Sequence, residues 1–140
     1  MAGMLGRLLI IDDQRDFACL LDAIAERLGF ATRILQHTLD FEYVMQHWHP
    51  DVVAIQMAMP DQQETEVLEY LEKARFPGRL LMTGDVKVNA LEHAAKVARE
   101  NGLTVASVLT KSSPNDQIEG ALKLLLDLES CGLNISRQAA

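Results

Sequence analysis

Short runs of aliphatic residues alternate along the chain with segments whose apolar positions recur every three or four residues. Arg7–Ile11 is apolar throughout after its arginine and ends in Asp12-Asp13, the pattern of a strand buried on both faces. Phe17, Leu20, Leu21, Ile24 and Leu28 follow at helical spacing, and Gly29 stops that helix. Ala31–Leu35 predicts a second, weaker strand. A helix over about Leu39–His47 comes next and is broken by Trp48-His49-Pro50. Asp51–Gln56, with Val52, Val53, Ala54 and Ile55, is the third strand. The loop Met57–Gln63 leads to a helix carrying Val67, Leu68, Leu71 and Ala74, closed by Pro77-Gly78. Arg79–Met82 is the fourth strand. Val88–Glu100 is the next helix, with Leu91, Ala94, Ala95 and Ala98 inward and Asn101-Gly102 at its end. Val105–Leu109 is the fifth strand, and Ser113 or Asn115 opens a last helix with Ile118, Leu122 and Leu125 on one face.

Strict alternation with short connections predicts an α/β fold: a doubly wound, five-stranded parallel sheet with helices on both faces, joined by right-handed crossovers. Residues 1–128 are expected to form one domain, and 129–140 a tail or the start of a linker. A chain of 140 residues, 49% hydrophobic and 24% charged, can bury a core of ordinary size. The formal net charge of -7 argues against sequence-independent binding to nucleic acid or to an anionic membrane, since both need basic surface. Cys19 and Cys131 have neither metal nor disulfide spacing. The first is expected to be buried in its helix and the second to lie in the tail, which fits a reducing cytoplasm. No apolar run approaches a membrane span, and no signal-peptide layout opens the chain.

In open parallel sheets the functional crevice lies beyond the carboxyl ends of the strands. Those ends carry Asp12 and Asp13 after the first strand, Gln56 at the third, Thr83 after the fourth and Lys111 after the fifth. Any one of these is an ordinary polar edge or helix cap. Two acids, an amide, a hydroxyl and an ammonium converging from four stretches form a candidate site.

On these residues the chain resembles the receiver domain of two-component response regulators, over roughly Arg7 to Leu128. The stretches that carry the likeness are Leu9-Ile10-Ile11-Asp12-Asp13, Pro50 through Pro60, Leu81-Met82-Thr83-Gly84 and Val108-Leu109-Thr110-Lys111. The resemblance implies a flavodoxin-like (βα)5 receiver fold and a signalling role without enzymatic activity. It implies that Asp12 and Asp13 hold Mg²⁺, with the backbone carbonyl of Ala58, and that Thr83 and Lys111 bind phosphoryl oxygens. The phosphoacceptor position, six residues after Pro50 and four before Pro60, is Gln56. A carboxylate can attack phosphorus and a neutral carboxamide cannot usefully do so. Gln56 also removes one hard anionic ligand, so no cofactor is required and any Mg²⁺ is held weakly.

Further departures point the same way. Ser112 stands where the family has a proline after the lysine, so a trans Lys111–Ser112 bond is expected, a cis non-proline bond costing ~2.5–4 kcal/mol. Val108 replaces the switch aromatic three residues before the lysine. Asp61 and Glu64, where a glycine-containing loop is common, are expected to add negative charge near the mouth. Ala94 through Val105 is more weakly similar to receivers fused ahead of EAL-type cyclic-di-GMP phosphodiesterase domains. The sequence thus reads as a degenerate receiver acting by phosphorylation-independent protein contact. Its partner is another protein or an attached output domain, an EAL-type one included, with a homodimer left open.

Two other readings use the same fold. A flavodoxin-like small-molecule binder would want a Gly- or Ser/Thr-rich phosphate cradle where Asp12-Asp13-Gln14-Arg15-Asp16 stands. A haloacid-dehalogenase-like phosphatase needs a second acid two residues after its aspartate nucleophile, where the chain has Gln14. His47 and His49 beside Trp48 read as surface residues, His37 and His93 are isolated, and Met57, Met59 and Met82 read as packing. Leu124, Leu126 and Leu128 widen the apolar surface of the last helix, as a core edge or a partner surface.

Overall fold

The computed structural model describes residues 6–130, with side chains as far as Leu126. Its elements run β1 (Arg7–Ile11), α1 (Arg15–Leu28), β2 (Ala31–Leu35), α2 (Phe41–Trp48), β3 (Val52–Gln56), a 3₁₀ turn over Pro60–Gln62, α3 (Gln63–Lys73), β4 (Arg79–Gly84), α4 (Val88–Glu100), β5 (Thr104–Thr110) and α5 (Asn115–Ser130). All pairings are parallel, in the order β2-β1-β3-β4-β5. Chain direction across the sheet reverses between β1 and β3, which opens a crevice at their carboxyl ends.

Because successive strand residues point to opposite faces, each buried strand feeds two cores. Leu8, Ile10, Val52, Ala54, Leu81 and Leu109 pack with the inner stripes of α1 and α5. Leu9, Ile11, Val53, Ile55, Leu80 and Met82 pack with α2, α3 and α4. This two-sided burial explains why the central strands are nearly uninterrupted in apolar residues. The edge strand β2 is only partly buried, which explains its weaker sequence pattern.

Several expectations are corrected. Cys19 is exposed, because the core stripe of α1 runs through Phe17, Ala18, Leu21, Ile24 and Ala25 and leaves position 19 outward. Leu39 lies before α2 and is 85% exposed. β4 extends to Gly84, so Thr83 lies inside the strand rather than beyond it. Leu126 joins the core while Leu124 points outward. Leu128 has no described side chain, and Cys131 with the tail beyond Ser130 falls outside the described residues.

Candidate functional site at the strand ends

The site is built where β1 and β3 part. The β1–β3 register pairs Ile11 with Ile55, so Asp12 and Gln56 emerge side by side. The next pairing, Gln56 with Thr83, sets the hydroxyl beside the amide along the sheet. Asp12, Gln56 and Thr83 are all buried, whereas Asp13 is exposed at the mouth. Lys111 leaves the end of β5, and its backbone N–H donates to the Gly84 carbonyl at 2.9 Å.

One ammonium ties the site together. Lys111 Nζ donates to Asp12 Oδ1 at 2.8 Å, to Gln14 Oε1 at 2.7 Å and to Gln56 Oε1. An ammonium has three hydrogens, and all three are used here. The Phe17 ring lies beneath it, 5.2 Å from Nζ to the centroid. Gln56 completes the chain by donating from Nε2 to Asp13 Oδ1 at 2.6 Å. Its amide orientation follows from these partners, since an oxygen must face the ammonium and an NH₂ the carboxylate.

Asp12 is the most constrained group. Its Oδ1 accepts from Lys111 and from the Gln14 backbone N–H at 2.8 Å, while Oδ2 is buried with no hydrogen-bond partner. Burial raises its pKa above the ordinary value of 3.8, and the bonds from Lys111 and Gln14 offset only part of that rise.

These groups bear on metal binding in two directions. Two carboxylates are hard oxygen donors suited to Mg²⁺, and the unpartnered Oδ2 of Asp12 is an atom a cation would satisfy. Gln56 opposes this by presenting hydrogens, not lone pairs, to Asp13. Among the described residues, no group of three or more His, Cys, Asp or Glu side chains could hold a metal. His47 is exposed and stacks on Tyr43, with ring centroids 4.0 Å apart. Met59 and Met82 are core residues and Met57 packs against that core.

Two participants escaped sequence reasoning. Gln14 is a direct partner of Lys111, so position 14 offers an amide where a phosphatase would need an acid. Glu64 does not add charge at the mouth, as its position suggested. It is buried, and its carboxylate accepts the backbone N–H groups of Ala58 at 2.9 Å and Met59 at 3.0 Å. Its signal was an acid at the start of a helix, after a loop without glycine. Lys111–Ser112 is trans, no cis bond occurring among the described residues, and Val108 is half-buried against the α4 side of the core. Beside the network, a groove of about 600 Å³ is lined by Gln14, Arg15, Asp16, Phe17, Leu20 and Lys111. No described helix is long and apolar enough to cross a membrane.

No family model and no curated protein matches the chain. Its likenesses are to solved structures. A response regulator from Colwellia psychrerythraea is 26% identical with a TM-score of 0.77, the match covering 88% of this chain and 98% of that one. A response regulator receiver domain protein from Methanospirillum hungatei JF-1 is 19% identical with a TM-score of 0.72, covering 89% and 96%. The N-terminal domain of a response regulator/sensory box/GGDEF three-domain protein from Carboxydothermus hydrogenoformans is 15% identical with a TM-score of 0.68, covering 91% and 98%. With its strand order, its strand-end constellation and these neighbours, the chain has the fold of a response-regulator receiver domain.

Proposed function

We propose that this domain is a receiver-like signalling module silenced at its phosphoacceptor position by Gln56, and that it acts through phosphorylation-independent contact with other proteins. The observation that carries the reading is the carboxamide itself. It is buried and bonded at both ends, accepting from Lys111 and donating to Asp13. A phosphoryl donor entering here meets no nucleophilic oxygen on β3 and a lysine whose hydrogens are all committed. The domain is a binding module and not an enzyme. Asp12 and Asp13 hold Mg²⁺ weakly, because Gln56 must turn its amide before it can offer an oxygen.

The partner is a protein or an output domain attached to the same chain. One structural neighbour is described as the first part of a three-domain protein with a GGDEF unit, which supports an attached output module as the kind of partner. The EAL-type likeness of residues 94–105 belongs to the same expectation.

Intact mass and amide exchange test this reading. With Mg²⁺ and acetyl phosphate added, the wild-type protein should gain no phosphoryl mass, and protection over residues 85–100 and 105–113 should stay as it was. A change confined to those segments would show that the pocket still takes a phosphoryl group and relays it.

A further inference from the structure

The loop between β3 and α3 forms the lip of the strand-end site, and its conformation is costly. Ala58, Asp61 and Gln62 all have left-handed backbones, with φ of 62°, 56° and 53°. None is glycine, so the turn is disfavoured on its own. Ala58, Pro60, Asp61 and Gln62 are exposed, while Met59 between them is buried as an anchor. Glu64 reaches back from the first turn of α3, one carboxylate oxygen to each of two consecutive N–H groups in that loop. Each is a charge-assisted hydrogen bond, stronger than a neutral one, the Met59 bond buried and the Ala58 bond partly so.

We propose that Glu64 is a positioning residue: its carboxylate fixes the Met57–Gln62 loop, the lip of the strand-end site, in one conformation from inside the protein, without any phosphoryl group. This rests on the reading of the domain as a phosphorylation-independent module and names what orders the rim of its site. The loop is ordered by a resident carboxylate rather than by a ligand at Gln56. Met57 N–H donates to the Thr83 carbonyl at 2.8 Å, so the loop starts from the sheet beside the site.

The test is residue-resolved hydrogen exchange on wild type, Glu64→Gln and Glu64→Ala, with the side-chain NH₂ signals of Gln56 followed in the same samples. The Ala58 and Met59 amides should exchange roughly tenfold or more faster in Glu64→Ala. Glu64→Gln should fall between, because its one amide oxygen satisfies one N–H and its NH₂ opposes the other. Exchange in β1, β3 and β4 and the Gln56 signals should stay unchanged. Unaltered exchange at Ala58 and Met59, or equal acceleration throughout the sheet, would overturn the assignment. Phosphorylation of the wild type would instead refute the silenced-acceptor reading and leave these rates as they are, so the two failures are separable.

Discussion

Gln56 Nε2 donates to Asp13 Oδ1 at 2.6 Å, so a neutral amide is bonded to an acid where the receiver resemblance puts a metal between two carboxylates. The same amide accepts from Lys111, which also holds Asp12. The pocket is therefore closed on itself by hydrogen bonds.

Gln56→Asp replaces the bridge with a third carboxylate beside Asp12 and Asp13. The variant should bind Mg²⁺ more tightly than the wild type by titration calorimetry. Its conformational response to phosphorylation should stay small, because Val108 has no ring to move behind Thr83 and a population shift needs a second state that binds differently. A large exchange change over residues 85–100 and 105–113 in the phosphorylated variant would show that the read-out survives without its aromatic.

Lys111→Met leaves Asp12 buried without its cation. Side-chain exposure of the pair is 8% for Lys111 and 2% for Asp12, and the expected loss of stability is about 3 kcal/mol. The Asp12→Asn/Lys111→Met double variant should lose less than the sum of the single changes. Arg27→Met, at the exposed pair with Glu119, should cost below about 1 kcal/mol. Urea denaturation of the wild type, the two single changes at this pair, the double variant and Arg27→Met decides this, and equal losses at the two pairs would contradict it.

Burial of Asp12 makes stability depend on pH with a definite sign. Its pKa is raised in the folded protein, so the folded state holds that proton more tightly than the unfolded chain. This contribution is fully present below 3.8, the ordinary value, and is lost as pH rises through the higher folded-state pKa. Asp12→Asn abolishes it. The stability difference between the two proteins should therefore shift in the wild type's favour as pH falls through that window. A difference that is flat with pH, or slopes the other way, would contradict the burial argument.

Two glycines should respond oppositely to alanine. A Cβ on Gly78 would lie 2.2 Å from the Asp51 carbonyl oxygen and 2.5 Å from Phe76 Cζ, so Gly78→Ala should cost about 1–3 kcal/mol. A Cβ on Gly120, in α5, meets nothing within 4 Å, and Gly120→Ala should gain about 0.5–1 kcal/mol. A Gly78→Ala protein that melts no lower than the wild type would refute the packing at Gly78, and a Gly120→Ala protein that melts lower would refute the open space at Gly120.

The fold was legible because the central strands are buried on both sides and the helices on one. Runs such as Leu8–Ile11 and Val52–Ile55 alternate with stripes such as Leu91, Ala95 and Ala98, and the two periods differ. Strand ends were legible as places, which is why Asp12, Gln56, Thr83 and Lys111 could be grouped before any geometry was known. What could not be read was long-range pairing of flexible side chains. Gln14 meets Lys111 across 97 residues of sequence, a relation no local pattern encodes. Glu64 looked like surface charge because an acid in a helix's first turn is usually just that. Its burial depends on a backward reach to a loop whose left-handed turns lack the glycines that would announce them. Cys19 shows the opposite error, an apolar neighbourhood in sequence that the helix divides between core and solvent.

The central claim is that Gln56 alone removes phosphoryl chemistry from a pocket whose other groups are in place. Intact-mass spectrometry of wild type and Gln56→Asp, each incubated with Mg²⁺ and acetyl phosphate, measures this directly. The wild type should gain no phosphoryl mass, and the variant should gain one hydroxylamine-sensitive group at position 56. A stoichiometric gain on the wild type, mapping to the strand-end pocket, would contradict the account, and so would a variant that stays unmodified.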